Sequence, residues 1–296
     1  PFTTGDPSKY NAKKITIPPY WIDTPQLREV VVQYYAEITN FDRLVGMIRN
    51  ELEKKGLWNN TIFMVCSEQG TQLPFAKWTC YDNGLRTGLV LRWPEITKPG
   101  SLVQELVSTA DITPTLVEGL GGSLAKDVCD GKSFLSLLRG EGGPIHDYVY
   151  GAFTNCRIIA NRERVFPIRS IRDKEYSLIY NPNYRSITSN LTLSQALKLK
   201  NQGGEPGEVL NPAASWVPLA KNDDHARTLV EKLHRRPKYE LYDLNKDPYE
   251  LSNLSKKSNY AKVMKRLKSK LHAKLKKLGD PDPISTEKGF IAQNKK

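Results

Sequence analysis

An acid and an amide directly follow an apolar run in the first third of the chain. Residues 61–66 are apolar or β-branched, and Ser-Glu-Gln-Gly comes next, which places Glu68 and Gln69 just beyond the run. In an open parallel sheet, ligands bind beyond the carboxyl ends of the strands. Carboxylate and amide oxygens are ligands that calcium or magnesium takes. Glu68 and Gln69 are therefore candidate metal ligands, and Lys77 is a candidate contact for an anion.

A long helix and a buried strand are predicted to position these side chains. Thr24 is a candidate N-cap, and apolar side chains then recur every three or four residues until Gly56. This spacing predicts a long amphipathic helix, and the continuous run 61–66 predicts a strand covered on both faces. Residues 89–93 and 111–120 predict a further strand and helix. Helices that alternate with buried strands are typical of a doubly wound α/β sheet.

The chain changes character after residue 145. Glycines at 139–144 predict a boundary between an α/β domain at 1–145 and a smaller α+β domain at 146–296. Four short aromatic-rich runs predict an antiparallel sheet in the second domain: 147–153, 165–172, 176–180 and 239–243. The polar insertion 182–236 lies between the last two runs. Long insertions in compact domains are often functional, and His225 is therefore a candidate substrate contact.

The positive charge is concentrated near the C-terminus. The chain has a net charge of +12, and segment 256–277 alone contains 10 Lys/Arg and no acid. Leucines at helical spacing predict a basic amphipathic helix at 256–278 that packs on the domain with its lysines in water. The alternative is an electrostatic patch for a polyanion, either a sulfated glycan or a nucleic acid. Nucleic acid is the weaker option, because the helix lacks interleaved aromatics.

The cysteines and the apolar runs exclude some classes. The four cysteines have no CxxC spacing, so no zinc site is implied, and they form two disulfides or none. Cys66 is expected to be a small core residue. No apolar run is long enough to span a bilayer.

Several segments together resemble the sulfatase family of the alkaline-phosphatase superfamily. They are Ser-Glu-Gln-Gly at 67–70, Ala-Lys-Trp-Thr at 76–79, Asp-Gly-Lys-Ser-Phe-Leu at 130–135 and Glu-Leu-Tyr-Asp-Leu-Asn-Lys-Asp-Pro-Tyr-Glu-Leu-Ser-Asn-Leu at 240–254. The last segment is similar to a C-terminal signature of the family. Within the family, the greatest similarity is to the N-sulfoglucosamine sulfohydrolases, the heparan N-sulfatases.

The resemblance implies a fold, an ion and roles for three residues. The fold is part of a doubly wound mixed sheet, followed by a smaller domain with an antiparallel sheet and a C-terminal helix. Such enzymes hold one divalent ion, usually calcium, with magnesium possible. Glu68 occupies the position of a family Asp ligand and Gln69 that of an amide ligand. Lys77 stands where the family places a Lys or Arg on the sulfate, which makes it the candidate catalytic and substrate-binding residue.

The family nucleophile is missing from this sequence. Sulfatases convert the Cys or Ser of Cys/Ser-x-Pro-x-Arg to formylglycine, and this pattern does not occur here. We therefore expect the chain to be the C-terminal part of a sulfatase, with its nucleophile outside this chain and no activity of its own. The resemblance implies a sulfated saccharide substrate, hydrolysed at a sulfuric ester or sulfamate. It also implies a secreted, periplasmic or lysosomal parent protein, and a homodimer is possible.

Two alternatives follow from the same residues. A phosphodiesterase or phosphotransferase of the same superfamily shares the α/β core, but those enzymes use two zinc ions with His ligands. No Asp-x-x-x-His pattern accompanies Glu68, which disfavours this class. The second alternative is a catalytically inactive sulfatase-like module that binds sulfated glycan through its basic helix.

Overall fold

A computed structural model of the protein describes residues 4–125, 128–154, 165–187, 212–286 and 288. The helices are α1 (Pro25–Lys54), α2 (Asp82–Leu85), α3 (Ile112–Gly119), α4 (Leu135–Arg139), α5 (Trp216–Leu219), α6 (Asp224–His234) and α7 (Ala261–Lys277). The strands are β1 (Phe63–Cys66), β2 (Leu89–Arg92), β3 (Val149–Phe153), β4 (Ile168–Arg172), β5 (Tyr176–Tyr180) and β6 (Tyr239–Asp243).

Helix α1 begins and ends where its capping residues predict. The Thr24 hydroxyl accepts a hydrogen bond from the Leu27 amide at 3.1 Å, and Gly56 has φ 67°, as is common just after a helix. The apolar stripe of α1 is buried only in its first half. Leu27 is fully buried, whereas Phe41 and Ile48, on the same stripe, are 50% and 56% exposed.

Strands β1 and β2 pair antiparallel, with Phe63 opposite Arg92 and Cys66 opposite Leu89. The prediction that residues 61–66 are covered on both faces is wrong for the part of the chain that the structure describes. Half-buried and exposed residues alternate along β1. Cys66 is exposed and not a core residue, because it lies on the uncovered side of this two-stranded sheet.

The predicted antiparallel sheet is present in the second half of the chain. Strands β3, β4, β5 and β6 are neighbours in chain order, and each pair is antiparallel. Successive residues point to opposite faces, and both faces of this sheet are covered. Ile179 and Tyr242 belong to a first core cluster with α1, whereas Leu178 and Leu241 belong to a second cluster under α7.

Helix α7 confirms the predicted C-terminal amphipathic helix. It begins at Ala261, later than predicted, because residues 258–260 form a 3₁₀ turn. Leu267, Leu271 and Leu275 are buried against the sheet. Their spacing of four residues places them on one face of the helix.

The predicted boundary at residue 145 stays a prediction. The first core cluster joins residues from both sides of it, including Leu27 and Phe75 before it and Ile168 and Trp216 after it. In the polar insertion 182–236, the predicted helix near 223–234 is α6, and residues 188–211 lie outside the described residues. Among the helices that the structure describes, none is long and apolar enough to cross a membrane.

Candidate active site

Glu68 and Lys77 lie together after the end of β1. The Lys77 ammonium donates hydrogen bonds to both carboxylate oxygens of Glu68, each at 3.0 Å. The Lys77 side chain is 22% exposed and that of Glu68 is 68% exposed, so the pair is at the surface. An ion pair this open to water contributes little to stability, and its groups remain free to exchange partners.

Gln69 and Glu68 line one cavity of about 300 Å³. Tyr20, Asn83 and Arg86 line the same cavity. The Tyr20 hydroxyl donates to the side-chain amide oxygen Oδ1 of Asn83 at 3.3 Å, and burial raises the pKa of Tyr20 to about 12. Because Tyr20 is neutral at ordinary pH, its hydroxyl can act there as a hydrogen-bond donor. A carboxylate, two amides, a phenol and a guanidinium therefore line the cavity and are available to a bound ligand.

The segment that contains Lys77 is held in place by its buried neighbours in the first core cluster. Phe75, Cys80 and Tyr81 are buried in the first core cluster, and the Phe75 ring stacks on Trp216 with centroids 6.5 Å apart. The Lys77 amide donates to the Thr71 carbonyl at 3.0 Å. Buried rings on both sides of Lys77 fix the backbone, and the Lys77 side chain remains partly exposed.

The backbone next to Lys77 is strained. Phe75 has φ 62° and Trp78 has φ 66°, and neither is glycine. A non-glycine residue in the left-handed region costs on the order of 1–2 kcal/mol. The buried contacts of Phe75 offset this cost and hold the unusual turn that presents Lys77.

Two glycines allow this segment to fold closely on itself. A Cβ on Gly70 would lie 2.0 Å from the Asn83 carbonyl oxygen, and a Cβ on Gly84 would lie 2.3 Å from the Ala76 carbonyl oxygen. Real Cβ atoms do not approach a carbonyl oxygen this closely, so only glycine fits. Gly70 thereby joins the end of the Glu68-Gln69 segment to α2.

Two buried glutamates from the C-terminal signature hold the other end of the segment. Glu240 accepts hydrogen bonds from the hydroxyls of Tyr81 at 2.8 Å and Tyr242 at 2.6 Å. Glu250 accepts one from the Asp82 amide at 2.6 Å. Both carboxylates are almost completely buried. Through these hydrogen bonds, Tyr81 and Asp82 are held against β6 and the turn that follows it.

Lys232 on α6 lies within this buried cluster. Its ammonium is 4.4 Å from the centroid of the Tyr81 ring, donates to the Glu250 carbonyl at 2.8 Å and lies 4.0 Å from a Glu240 oxygen. Burial lowers the pKa of Lys232, against the opposing effect of the two glutamates. Burial also raises the pKa of Glu250 to about 7 and that of Tyr81 well above its ordinary value.

Glu240, Glu250 and Lys232 are structural neighbours of the candidate site that the sequence analysis did not single out. The sequence did contain a signal for the two acids, because both belong to the segment 240–254 that resembles the family signature. Their contact with the Lys77 segment was not predictable, since their partners Tyr81 and Asp82 lie 159 and 168 positions earlier in the chain.

The donor types at Glu68 and Gln69 fit calcium, but their number does not complete its shell. Calcium takes six to eight oxygens, and these two side chains contain at most three. No group of three or more His, Cys, Asp or Glu with metal-binding geometry occurs among the described residues. Glu68 and Gln69 could therefore supply only part of a calcium shell, and their role as metal ligands stays a prediction.

His225 is not joined to this site by any contact that the structure describes. It is exposed in the first turn of α6, where Ala226 and Leu229 face the core. His225 does not line the cavity that contains Glu68 and Gln69. The role of His225 in substrate binding stays a prediction, as do the roles of Glu68, Gln69 and Lys77.

Two family profiles match the sequence. The profile described as Sulfatase matches residues 2–122, and the profile described as N-sulphoglucosamine sulphohydrolase, C-terminal, matches residues 70–194. An ulvan-active sulfatase of Formosa agariphila is 34% identical over 242 residues, which cover 79% of this chain and 42% of that protein. Human N-sulphoglucosamine sulphohydrolase is 24% identical over 278 residues, which cover 90% of this chain and 51% of that protein.

Solved structures have the same fold. A protein solved in complex with its substrate D-glucosamine-2-N,6-O-disulfate superposes with a TM-score of 0.55 at 22% identity, over 86% of this chain and 42% of that one. A 2-O GAG sulfatase superposes with a TM-score of 0.60 at 18% identity, over 88% of this chain and 46% of that one. The chain thus spans about half the length of the relatives it matches, or less.

The fold is that of the alkaline-phosphatase-like α/β class. The mixed helices and sheets, the four-stranded antiparallel sheet and the C-terminal helix are all as expected for that class. The matches to both profiles and to curated relatives go further: the chain belongs to the sulfatase family.

Proposed function

We propose that this chain provides the cation-facing and sulfate-facing residues of a sulfatase that acts on a sulfated saccharide. The reaction is hydrolysis of a sulfuric ester or a sulfamate. The observation that carries the proposal is the convergence of Glu68 and Lys77, with both hydrogen bonds at 3.0 Å, beside a cavity that Gln69 also lines. An anion-binding ammonium and oxygen donors for a cation are two of the components that the proposed hydrolysis needs at one place, and the nucleophile is the third.

Lys77 has the chemistry to stabilise the sulfate group during hydrolysis. When the sulfur–oxygen or sulfur–nitrogen bond breaks, negative charge shifts to the bridging atom and remains on the sulfate oxygens. A fixed ammonium near those atoms lowers the energy of the transition state more than that of the substrate. Lys77 rests on Glu68 in the structure, and an incoming sulfate oxygen replaces that carboxylate as its acceptor.

Glu68 and Gln69 would hold the divalent ion, calcium or magnesium. A bound ion of this kind polarises sulfate oxygens and neutralises their charge. Release of Lys77 to the substrate leaves the Glu68 carboxylate with both oxygens available, and Gln69 supplies a neutral amide oxygen beside it. The Tyr81 and Asp82 contacts to the buried glutamates keep the segment in place during this exchange.

The nucleophile of the proposed reaction is a formylglycine on a segment outside this chain. Attack on sulfur requires such a group, and the Cys/Ser-x-Pro-x-Arg pattern does not occur in this sequence. The chain alone is therefore proposed to be inactive. The complete protein is proposed to be secreted, periplasmic or lysosomal.

A sulfated glucosamine of the heparan type is the proposed substrate. Similarity to human N-sulphoglucosamine sulphohydrolase over 90% of this chain supports it, as does the match of residues 70–194 to the profile named after that enzyme. The ulvan-active relatives support the broader class of sulfated polysaccharides.

Sulfate release by the complete enzyme tests the proposal. Lys77→Ala should lower kcat for glucosamine N-sulfate by about a hundredfold or more, the usual effect of removing one charge-stabilising donor. The matched control is Lys13→Ala, an exposed lysine that does not line the Glu68 cavity or the cavity next to it, which should retain the parent kcat. Unchanged turnover in Lys77→Ala would remove the residue from the site. Absence of sulfate release from the parent enzyme would favour an inactive glycan-binding module.

A further inference from the structure

Helix α7 has an unusual concentration of positive charge. Eight of its 17 residues are Lys or Arg, none is acidic, and they cover its solvent-facing half. Among the ion pairs of the described residues, only one includes a side chain of this helix: Arg266 contacts Asp173 at 2.7 Å. The other cations of α7 are therefore not neutralised by the acids of the fold around them.

This charge arrangement opposes the stability of the helix. The first turn contains no acid, and Lys262 and Lys265 lie near the positive end of the helix dipole. Lys262, Arg266, Lys270 and Lys274 follow one another at intervals of four residues, and like charges at this spacing repel. The packing of α7 on the sheet involves its apolar side chains, which are its leucines with Val263 and Met264, so packing does not explain the cations.

The cations form an ordered row along the helix. From Lys262 to Lys274 the row extends over about 18 Å, at 1.5 Å per residue. Tyrosines on the sheet hold two of the neighbouring ammonium groups: Lys270 lies 5.9 Å from the Tyr148 ring centroid, and Lys274 lies 5.6 Å from that of Tyr150. Contacts of this kind restrict the side chains and reduce the entropy lost on binding a ligand.

The row lies on the far side of the sheet from the candidate active site. Helix α7 packs on the face that includes Leu178 and Leu241, whereas Phe75 and Tyr81, which flank Lys77, pack on the face that includes Ile179. A ligand on the solvent face of α7 is therefore separate from the Glu68 cavity.

We propose that the solvent face of α7 is a second binding site, for a sulfated glycan chain. The proposal rests on the proposed function for the class of glycan, because a sulfatase that acts on a polymer benefits from holding the chain at a second point. Such a contact raises the local concentration of cleavable residues at the active site. A linear polymer with repeated sulfates matches a row of separate cationic groups that is about 18 Å long.

The composition of the same face disfavours two other polyanions. Stacking on nucleic acid bases needs exposed aromatic side chains, and insertion into an anionic membrane needs exposed Leu, Phe or Trp. Within α7 the positions between the cations on the solvent side are Ser269 and Ala273, which provide neither. Beside the row, Tyr150 at 41% and Leu278 at 54% are single exposed residues of each kind and form no stacking platform or apolar face. Double-stranded DNA and phosphatidylserine vesicles therefore serve as competing probes.

The test compares two triple variants of the full chain that change net charge equally. The first is Lys262→Gln, Lys270→Gln and Lys274→Gln on α7. The control is Lys9→Gln, Lys13→Gln and Lys98→Gln, three exposed lysines elsewhere. Titration calorimetry with a heparin decasaccharide should give an affinity at least about tenfold lower for the first variant and within about twofold of the parent for the control. Circular dichroism should give parental helicity for both.

Three outcomes would overturn the proposal. They are equal losses of affinity in the two triple variants, no measurable binding of heparin by the parent, and binding of DNA or of the vesicles as tight as that of heparin. The proposed function is tested separately. Sulfate release from a monosaccharide by the complete enzyme reports only on the active site, so the α7 triple variant should retain the parent kcat there, whereas Lys77→Ala should lose it.

Discussion

At the scale of single residues, Gly70 determines whether the Glu68-Gln69 segment can lie on α2. We expect Gly70→Ala to destabilise the protein by on the order of 2 kcal/mol or more, because its Cβ would meet the Asn83 carbonyl oxygen at 2.0 Å and the backbone must move. Urea unfolding followed by tryptophan fluorescence measures the change.

Gly46 is the matched control for this substitution. It lies inside α1, and a Cβ there would have no atom within 4 Å. Gly46→Ala should therefore stabilise the protein by about 1 kcal/mol, the difference in helix propensity. The two substitutions have opposite expected signs, and two destabilisations of equal size would contradict the role given to Gly70.

Glu250 gives stability a dependence on pH. Its pKa in the fold is about 7, above the ordinary value of 4.5, because burial disfavours the carboxylate. A folded state that binds the proton more tightly loses stability as pH rises from about 4.5 to about 7. Ionisation of Glu250 does not destabilise the fold below this pH range. Above the range, it lowers the free energy of unfolding by on the order of 3 kcal/mol.

Glu250→Gln should remove this dependence, since the amide oxygen still accepts from the Asp82 amide but does not titrate. The free energy of unfolding should then change less between pH 5 and pH 8 in the variant than in the parent. Glu29→Gln, an exposed acid on α1, is the control and should retain the parent profile. If the free energy of unfolding of Glu250→Gln depended on pH as it does in the parent, other groups would be responsible for the pH dependence.

The candidate site was predictable where its residues are close in sequence. Glu68, Gln69 and Lys77 lie within ten positions, and the end of β1 determines their place. The supporting cluster was not predictable, because Glu240 reaches Tyr81 across 159 positions. Periodicity and motif spacing contain no information about which distant segments pack together. The strained turn at Phe75 and Trp78 likewise has no sequence signal, since neither is glycine.

At the scale of elements, periodicity predicted which segments form helices and strands but not how they are covered. The bounds of α1 and of strands β3 to β6 lie within a few residues of the predicted runs, because caps and alternating side chains act locally. Burial depends on neighbours. The sequence of β1 predicts a fully buried strand. Among the described residues, however, β1 pairs with β2 alone, and Cys66 is exposed.

The docking of α7 on the sheet depends on its leucines. Leu271 is 1% exposed in the second core cluster, so Leu271→Ala should lower the free energy of unfolding by about 2–5 kcal/mol. Ser269→Ala, at an exposed position two residues away, should be neutral or slightly stabilising. Thermal unfolding measured in parallel checks both. A small effect of Leu271→Ala would indicate that the cations, rather than the leucines, hold the helix.

At the scale of the whole molecule, the half-covered stripe of α1 is the most informative surface. Leu27 and Val31 at its beginning are buried, whereas Ile38, Phe41 and Ile48 further along the same face are 47%, 50% and 56% exposed. Contiguous apolar surface of this kind marks a contact site. The chain spans 42% and 51% of the lengths of two of its relatives, and we predict that further parts of a complete sulfatase would cover this stripe.

Removing this apolar stripe should change the behaviour of the 296-residue chain on its own. Replacing Ile38, Phe41 and Ile48 together by Ser should reduce its binding of an apolar fluorescent dye and its self-association in sedimentation experiments, because both depend on exposed apolar area. The matched control replaces Asp42 and Arg43 by Ser, which conserves net charge on the polar side of α1, and should leave dye binding unchanged.

In the complete enzyme the apolar triple variant should instead lose stability, because those side chains would be buried there. Equal stability of variant and parent in the complete enzyme would show that this stripe remains exposed to water in the whole sulfatase.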